Sequence, residues 1–413
     1  MTESYELAPD EDWRECQDCG LFSRLLPRQP GLIAECPRCG SILWRMRRVG
    51  LTFPLACAIA GLMFYSFALI APLLEIYAYG RFSMAHIETG PLRLVSAGWQ
   101  SVGMLVFLVT LIVPGAKLGI ITTTLLGMKA GLPKRLLRGI FRWYKRLSPW
   151  AMIDVYLLGF LVAYTRLTGM FSVHIDTALY ALIGLMITMA ATDAGLDQEV
   201  IWRRLDDDEQ PSCELEHHAL SCTVCNLVNH TANGIFCRRC HAPLYRRKPA
   251  SVSRTWAFVI AAAWLYIPAN IYPFMTITNL AQSQPYTIMG GIVELMRVGL
   301  WPLALLVFFA SIVVPLLKLL GLAYMLITTQ RRHADLLYAR AATYRLLDFI
   351  GRWSMIDIFM VSILVALVHF GEFANVSMNT GAVCFAAVVV LTIFAVNAFD
   401  PRLMWDNYGE FGA

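Results

Sequence analysis

Charge is scarce in this chain. Asp, Glu, Lys and Arg make up 15% of its 413 residues, against about 25% in soluble globular domains. A phosphate-binding G-x-x-x-x-G-K-[ST] loop is also missing, which argues against nucleotide hydrolysis by this chain. Nothing near the start reads as a cleavable leader, because the first 48 residues are polar and carry cysteines. The first apolar segment is therefore expected to act as a signal anchor. What remains is apolar: 57% of residues are hydrophobic and the mean hydropathy is +0.56.

Spans of roughly 20 apolar residues, the length a helix needs to cross a bilayer, recur eight times. They are read at about 52–74, 100–128, 149–168, 174–193, 255–277, 301–328, 353–371 and 376–398. The segment 129–147 carries Lys129, Lys134, Arg135, Arg138, Arg142, Lys145 and Arg146 with no acidic residue, and 330–352 is also rich in arginine. By the positive-inside rule, both termini and the central linker face the cytoplasm. The net charge of +5 is then mainly a topology signal, and it gives little support to a nucleic-acid partner.

Eight of the eleven cysteines fall in four C-x-x-C pairs. Cys16, Cys19, Cys36 and Cys39 precede the first block of spans, and Cys222, Cys225, Cys237 and Cys240 precede the second. The spacing suits tetrahedral Zn²⁺ held by four thiolates, so two closed, structural zinc sites are expected. A redox C-x-x-C would call for a βαβ pattern, which is absent. Cys213, His217, His218, His230 and His241 are alternative ligands, while Cys57 and Cys384 read as packing residues within spans.

The chain repeats itself at an offset of about 200 residues. Val113-Pro114-Gly115-Ala116-Lys117 falls on Val314-Pro315-Leu316-Leu317-Lys318. Likewise Trp150-Ala151-Met152-Ile153-Asp154 falls on Trp353-Ser354-Met355-Ile356-Asp357. Four spans per half makes this a parallel repeat. The expected fold is an all-α polytopic membrane protein of two tandem four-helix units, each preceded by a small cytoplasmic zinc ribbon. The boundaries read as ribbon 1–48, unit 49–196, linker and ribbon 197–252, unit 253–400 and tail 401–413. The acidic run 206–209 reads as a solvated loop.

Charges inside spans are costly and call for partners. Lys117 and Asp154 lie at roughly 16 Å and 8 Å from the inner ends of their spans at 1.5 Å per residue. A snorkelling lysine brings them level. Lys117–Asp154 and Lys318–Asp357 pairs are therefore expected, as packing salt bridges or as a protonatable relay. Ser311, Ser354 and Thr392 add polar neighbours in the second half, and Thr110 and Thr188 in the first. Ile267-Pro268-Ala269-Asn270-Ile271-Tyr272-Pro273 is expected to be kinked or partly unwound.

The paired cysteine modules, Ile267-Pro268-Ala269-Asn270 with Pro273-Phe274-Met275, Val314-Pro315-Leu316-Leu317-Lys318, Trp353-Ser354-Met355-Ile356-Asp357 and Phe399-Asp400-Pro401-Arg402-Leu403 together resemble the paraquat-inducible protein A family. The resemblance covers essentially the whole chain. It implies a Gram-negative inner-membrane protein that works with a periplasmic mammalian-cell-entry (MCE) domain protein to move phospholipid between two membranes. It also implies a polar cluster in the second unit, which falls on Ser311, Lys318, Ser354, Asp357 and Thr392. The first half departs from the pattern, with Met63-Phe64-Tyr65-Ser66-Phe67 where Ile-Pro-Ala-Asn is expected. Two other classes stay open: a membrane scaffold that anchors the partner without transporting, and a redox enzyme with reactive thiols.

Overall fold

The computed structural model describes residues 12–25, 33–45, 50–78, 81–168, 172–206, 219–230, 235–279, 282–332, 336–367 and 374–406. Cys213, His217, His218 and most of the acidic run lie outside them. Eight helices are long and apolar enough to cross a membrane: Thr52–Ile70, Gln100–Lys129, Lys134–Thr165, Thr177–Gly195, Ser251–Ile271, Trp301–Gln330, Leu337–Ala366 and Thr380–Ala398. They are called spans one to eight below. All eight expected spans are present, and their edges move.

The basic segment 129–147, which separates two expected spans, contains a 14-residue amphipathic helix, Lys134–Leu147, that buries Leu137, Phe141 and Tyr144. A short 3-10 turn, Ser148–Trp150, joins it to the apolar helix Ile153–Thr168. The second half repeats this with Leu337–Ile350 and Ile356–Leu367. At the other end of the spans the chain forms two small antiparallel sheets that hydropathy did not reveal. Leu74–Ala78 pairs with Arg81–Ala85 and Ser172–Ile175. Met275–Asn279 pairs with Gln282–Tyr286 and Ala374–Met378. Strand and helix are both apolar here, so a sliding window merges them.

Each half carries the same irregularity in its long second helix. Leu108–Ile112 and Phe309–Val313 are π-turns, each followed two residues later by proline, Pro114 or Pro315. Proline has no N–H to give the preceding turn, and a wider turn absorbs the mismatch. A tyrosine from the unit's first helix completes the arrangement. Tyr65 Oη donates to Leu111 O at 2.8 Å, and Tyr266 Oη donates to Ile312 O at 3.3 Å. By contrast, the expected unwinding at Pro268 does not occur, because the helix runs through it to Ile271.

Within each unit the first and last spans pack along each other. The two units meet through spans three and seven. Gly159 lets these helices approach, since a Cβ there would lie 3.0 Å from Ile356 O, and Tyr156 meets Phe359 edge-on at 5.6 Å. The helix Thr89–Ser96 also reaches across, with Gly90 so close that a Cβ would sit 2.6 Å from Ser362 O. Span seven is consequently the most enclosed, 82% buried over its apolar window.

Candidate functional site

The cysteines build two knuckle pairs at the end of the spans opposite the sheets. In the first module, hairpins Asp12–Glu15/Phe22–Leu25 and Ile33–Glu35/Ile42–Arg45 each present one C-x-x-C pair. In the second, Ala219–Ser221 pairs with Val228–His230, and a bridge joins Phe236 to Pro243. The residue after each second cysteine has a left-handed backbone: Gly20 (φ +76), Gly40 (φ +68), Asn226 (φ 57) and His241 (φ 54). These positions suit glycine and, next best, asparagine.

Both sets of four cysteines are buried, with their Sγ atoms within 4.8 Å of one another. The shortest S···S distances are 3.5 Å, for Cys16–Cys39, Cys19–Cys36, Cys222–Cys240 and Cys225–Cys237. A disulfide needs about 2.05 Å. Four thiolates around Zn²⁺ at about 2.3 Å would lie roughly 3.8 Å apart. The geometry therefore fits two metal-binding groups. His241 belongs to neither, and the side chain of His230 lies outside what is described.

The modules are exchanged between halves. The first rests on the second membrane unit: Arg345 donates to Asp18 Oδ2 (3.1 Å) and Cys39 O (3.3 Å), and Gly40 lies against Tyr338. Arg38 stacks over Trp405 at 4.7 Å. The second rests on the first unit, where Lys145 donates to Thr223 O and Arg142 donates to His241 O. Arg239 joins it to Asp206 at 2.6 Å.

The closing segment Phe399-Asp400-Pro401-Arg402 fastens the first module. Arg402 is buried and forks onto both oxygens of Asp400 at 3.0 Å, while Nη1 donates to Glu15 Oε1 at 2.9 Å. Asp400 also accepts from Lys248 N, and its own N–H donates to Ser251 Oγ. Burial opposes a charge on Asp400, but the hydrogen bonds and charge of Arg402 outweigh it and hold the pKa below the usual carboxylate range. Burial dominates at Glu15, whose pKa is raised despite Arg402.

In the membrane units the expected lysine–aspartate pairs are not the ones found. Lys117 Nζ donates to Asp193 Oδ2 on span four at 2.6 Å, and Tyr144 Oη donates to Asp193 Oδ1 at 2.8 Å. Asp154 is exposed at the start of its helix and takes no part in the pair. The carboxylate that reaches Lys117 comes from span four and not from the start of the helix Ile153–Thr168.

Lys318 forms no ion pair with Asp357. Its Nζ donates to Gly351 O at 2.7 Å and approaches Thr392 Oγ1 at 3.5 Å. Gly351 closes the C-terminus of the helix Leu337–Ile350, where free carbonyls carry partial negative charge. Ser311 sits in the π-turn and donates to Val307 O at 2.7 Å, at the position that Thr110 takes in the first half. Ser311, Lys318, Ser354, Asp357 and Thr392 are all buried. A cleft of about 270 Å³, lined by Ser148, Asp348 and Asn397, opens onto Lys318 from the metal-module end. Gly351, Asp193 and Tyr144 were missed in the sequence. The Asp193 signal was present, as the only acid within the helix Thr177–Gly195.

Residues 51–206 and 252–409 match the family described as Paraquat-inducible protein A. The chain is 30% identical over 409 residues to Intermembrane transport protein PqiA of Escherichia coli, covering 96% of each. It is also 30% identical over 406 residues to the Lipophilic envelope-spanning tunnel protein A of the same organism, covering 98% of this chain and 93% of the relative. A Probable intermembrane transport protein of Haemophilus influenzae is 26% identical over 407 residues, with 95% of each covered. No solved structure matches the chain.

Proposed function

The chain belongs to the paraquat-inducible protein A family, and from that premise we propose that it is the inner-membrane subunit of a system that carries phospholipid between membranes. The observation that carries this reading is a set of buried polar residues on the second unit, with Lys318 reached by a cleft, in a chain with relatives named for intermembrane transport along nearly their whole length. A periplasmic MCE-domain protein is the partner that would receive or deliver the lipid at the sheet end. Both termini and both cysteine modules would face the cytoplasm, as the basic segments favour.

Zn²⁺ is the metal suited to eight buried thiol ligands in two tetrahedral sets. Closed four-thiolate sites serve folding, so the modules would hold the helices they rest on, and the chain would act as a transporter rather than as an enzyme.

Proton coupling would run through Lys318. Its ammonium caps a helix, and loss of the proton would remove that cap and loosen Leu337–Ile350 from span six. Ser311, Ser354, Asp357 and Thr392 would relay the proton, while Lys117 with Asp193 would serve as the fixed counterpart in the first unit. The relay through a Lys318–Asp357 ion pair, and any role for Asp154 as partner of Lys117, are replaced by these contacts.

The test is lipid capture in intact cells, with a photoreactive residue at Asn397 in the cleft. Phospholipid captured above a lipid-facing control, and changed in amount by Lys318→Met, supports the reading. Capture at the control level in a folded protein overturns it in favour of a scaffold.

A further inference from the structure

The basic segment that sets the topology also builds a cleft. Its volume is about 650 Å³, and it lies where span two ends and the amphipathic helix Lys134–Leu147 begins. That size falls within the roughly 300–1,000 Å³ of small-ligand sites. Among the described residues, the charged groups that line it are Lys129, Lys134, Arg135 and Arg204. Lys129, Arg135 and Arg204 make no ion pair among the described residues. The amphipathic helix starts there with no side-chain cap and no acidic residue in its first turn, so its backbone adds to the positive field.

The rim of the cleft is apolar. Leu132 lines it at 47% exposure, and Leu136, next to Arg135 in the chain, is 54% exposed. Apolar groups next to cations, at the end of a membrane span, are the surroundings of a lipid headgroup whose chains stay in the bilayer. A soluble anion would have no use for them.

The internal repeat supplies a control. The matching helix in the second unit begins Leu337-Tyr338, where the first has Lys134-Arg135. There Tyr338, 61% exposed, lies against Gly40 of the first cysteine module. The second unit keeps cations just before its helix, at Arg331 and Arg332, but has none at the first two positions of the helix itself.

We propose that this cleft is a binding site for an anionic phospholipid of the leaflet on the metal-module side, with Lys129, Arg135 and Arg204 holding the headgroup. The site belongs to the first unit and is separate from the cleft at Lys318. It does not depend on the chain transporting lipid.

The experiment is native mass spectrometry of the full-length protein in a non-ionic detergent, titrated separately with phosphatidylglycerol, phosphatidylethanolamine and inorganic phosphate. Each basic side chain near an anionic lipid contributes roughly fivefold in affinity, so three contribute roughly 100-fold. Wild type is expected to prefer phosphatidylglycerol over phosphatidylethanolamine by at least about tenfold of that. Lys129→Gln/Arg135→Gln/Arg204→Gln is expected to bind the two lipids equally. All three side chains are exposed, so the variant should keep its fold, with an unchanged melting transition as the check. The single Arg135→Gln serves if the triple variant does not fold, with a partial loss expected. Equal binding of both lipids by wild type, or full preference in the folded variant, overturns the proposal. Displacement of the lipid by millimolar phosphate also overturns it, in favour of a free-anion site.

Discussion

Lys318 Nζ lies 2.7 Å from Gly351 O, so a buried lysine closes the C-terminus of the next helix along the chain. A cation at a helix C-terminus gains about 0.3–1 kcal/mol at the surface and up to about 2 kcal/mol when partly buried. That is small against the cost of burying the charge. The arrangement thus holds a lysine that the fold tolerates more than it needs, beside a cleft open to one face.

Lys318→Met keeps the length of the side chain and removes its charge. Replacing a buried ionic group by a well-packed apolar one is often neutral or stabilising by about 1–4 kcal/mol. The expected outcome is unchanged or raised thermal stability with lost transport. A destabilised protein that still transports would contradict the role proposed for Lys318.

Lys117 and Asp193 should couple, whereas Lys117 and Asp154 should not. Asp193 is 41% exposed, so solvent limits the pair to about 1 kcal/mol. A double-mutant cycle of Lys117→Met with Asp193→Asn is expected to return a coupling of that size, and the same cycle with Asp154→Asn a value near zero. Chemical denaturation in a mild detergent reads both.

Arg402→Ala removes the guanidinium shared by two buried carboxylates and is expected to cost about 3–5 kcal/mol. Asp400 is held below the usual range, so its stabilising contribution is present above its unfolded value of about 3.9. That contribution is lost only as pH falls through the lower folded value. Without Arg402 the loss should move upward in pH, which melting curves from pH 3 to 6 for the two proteins compare.

Exchange of the modules makes a distinctive prediction for metal loss. Cys16→Ser should release one of about two bound zinc ions and speed hydrogen exchange in Leu337–Ile350, far along the chain. Cys222→Ser should do the same in Lys134–Leu147. Each mutation loosening its own half would mean that the modules are not exchanged.

The features legible in the sequence are those that local order encodes. Hydropathy over some twenty residues placed eight spans, because crossing a bilayer depends on continuous apolar length. C-x-x-C spacing marked the ligand groups, because a knuckle is a local turn that offers two thiolates to one ion. The repeat was visible because it is copied order. Lys117, Lys318 and the polar residues near them were recognisable as costly charges and polar groups in an apolar run.

Tertiary structure alone decided where those charges went. Span four brings Asp193 to Lys117, and Leu337–Ile350 turns its last carbonyl to Lys318, through contacts between helices that no spacing records. It also set each cysteine module on the other half. That depends on Arg345 meeting Asp18 and Arg402 meeting Glu15, partners more than 300 residues apart in the chain. Local sequence determines what each segment can bury or bind, and packing in three dimensions chooses which candidate partner comes within reach.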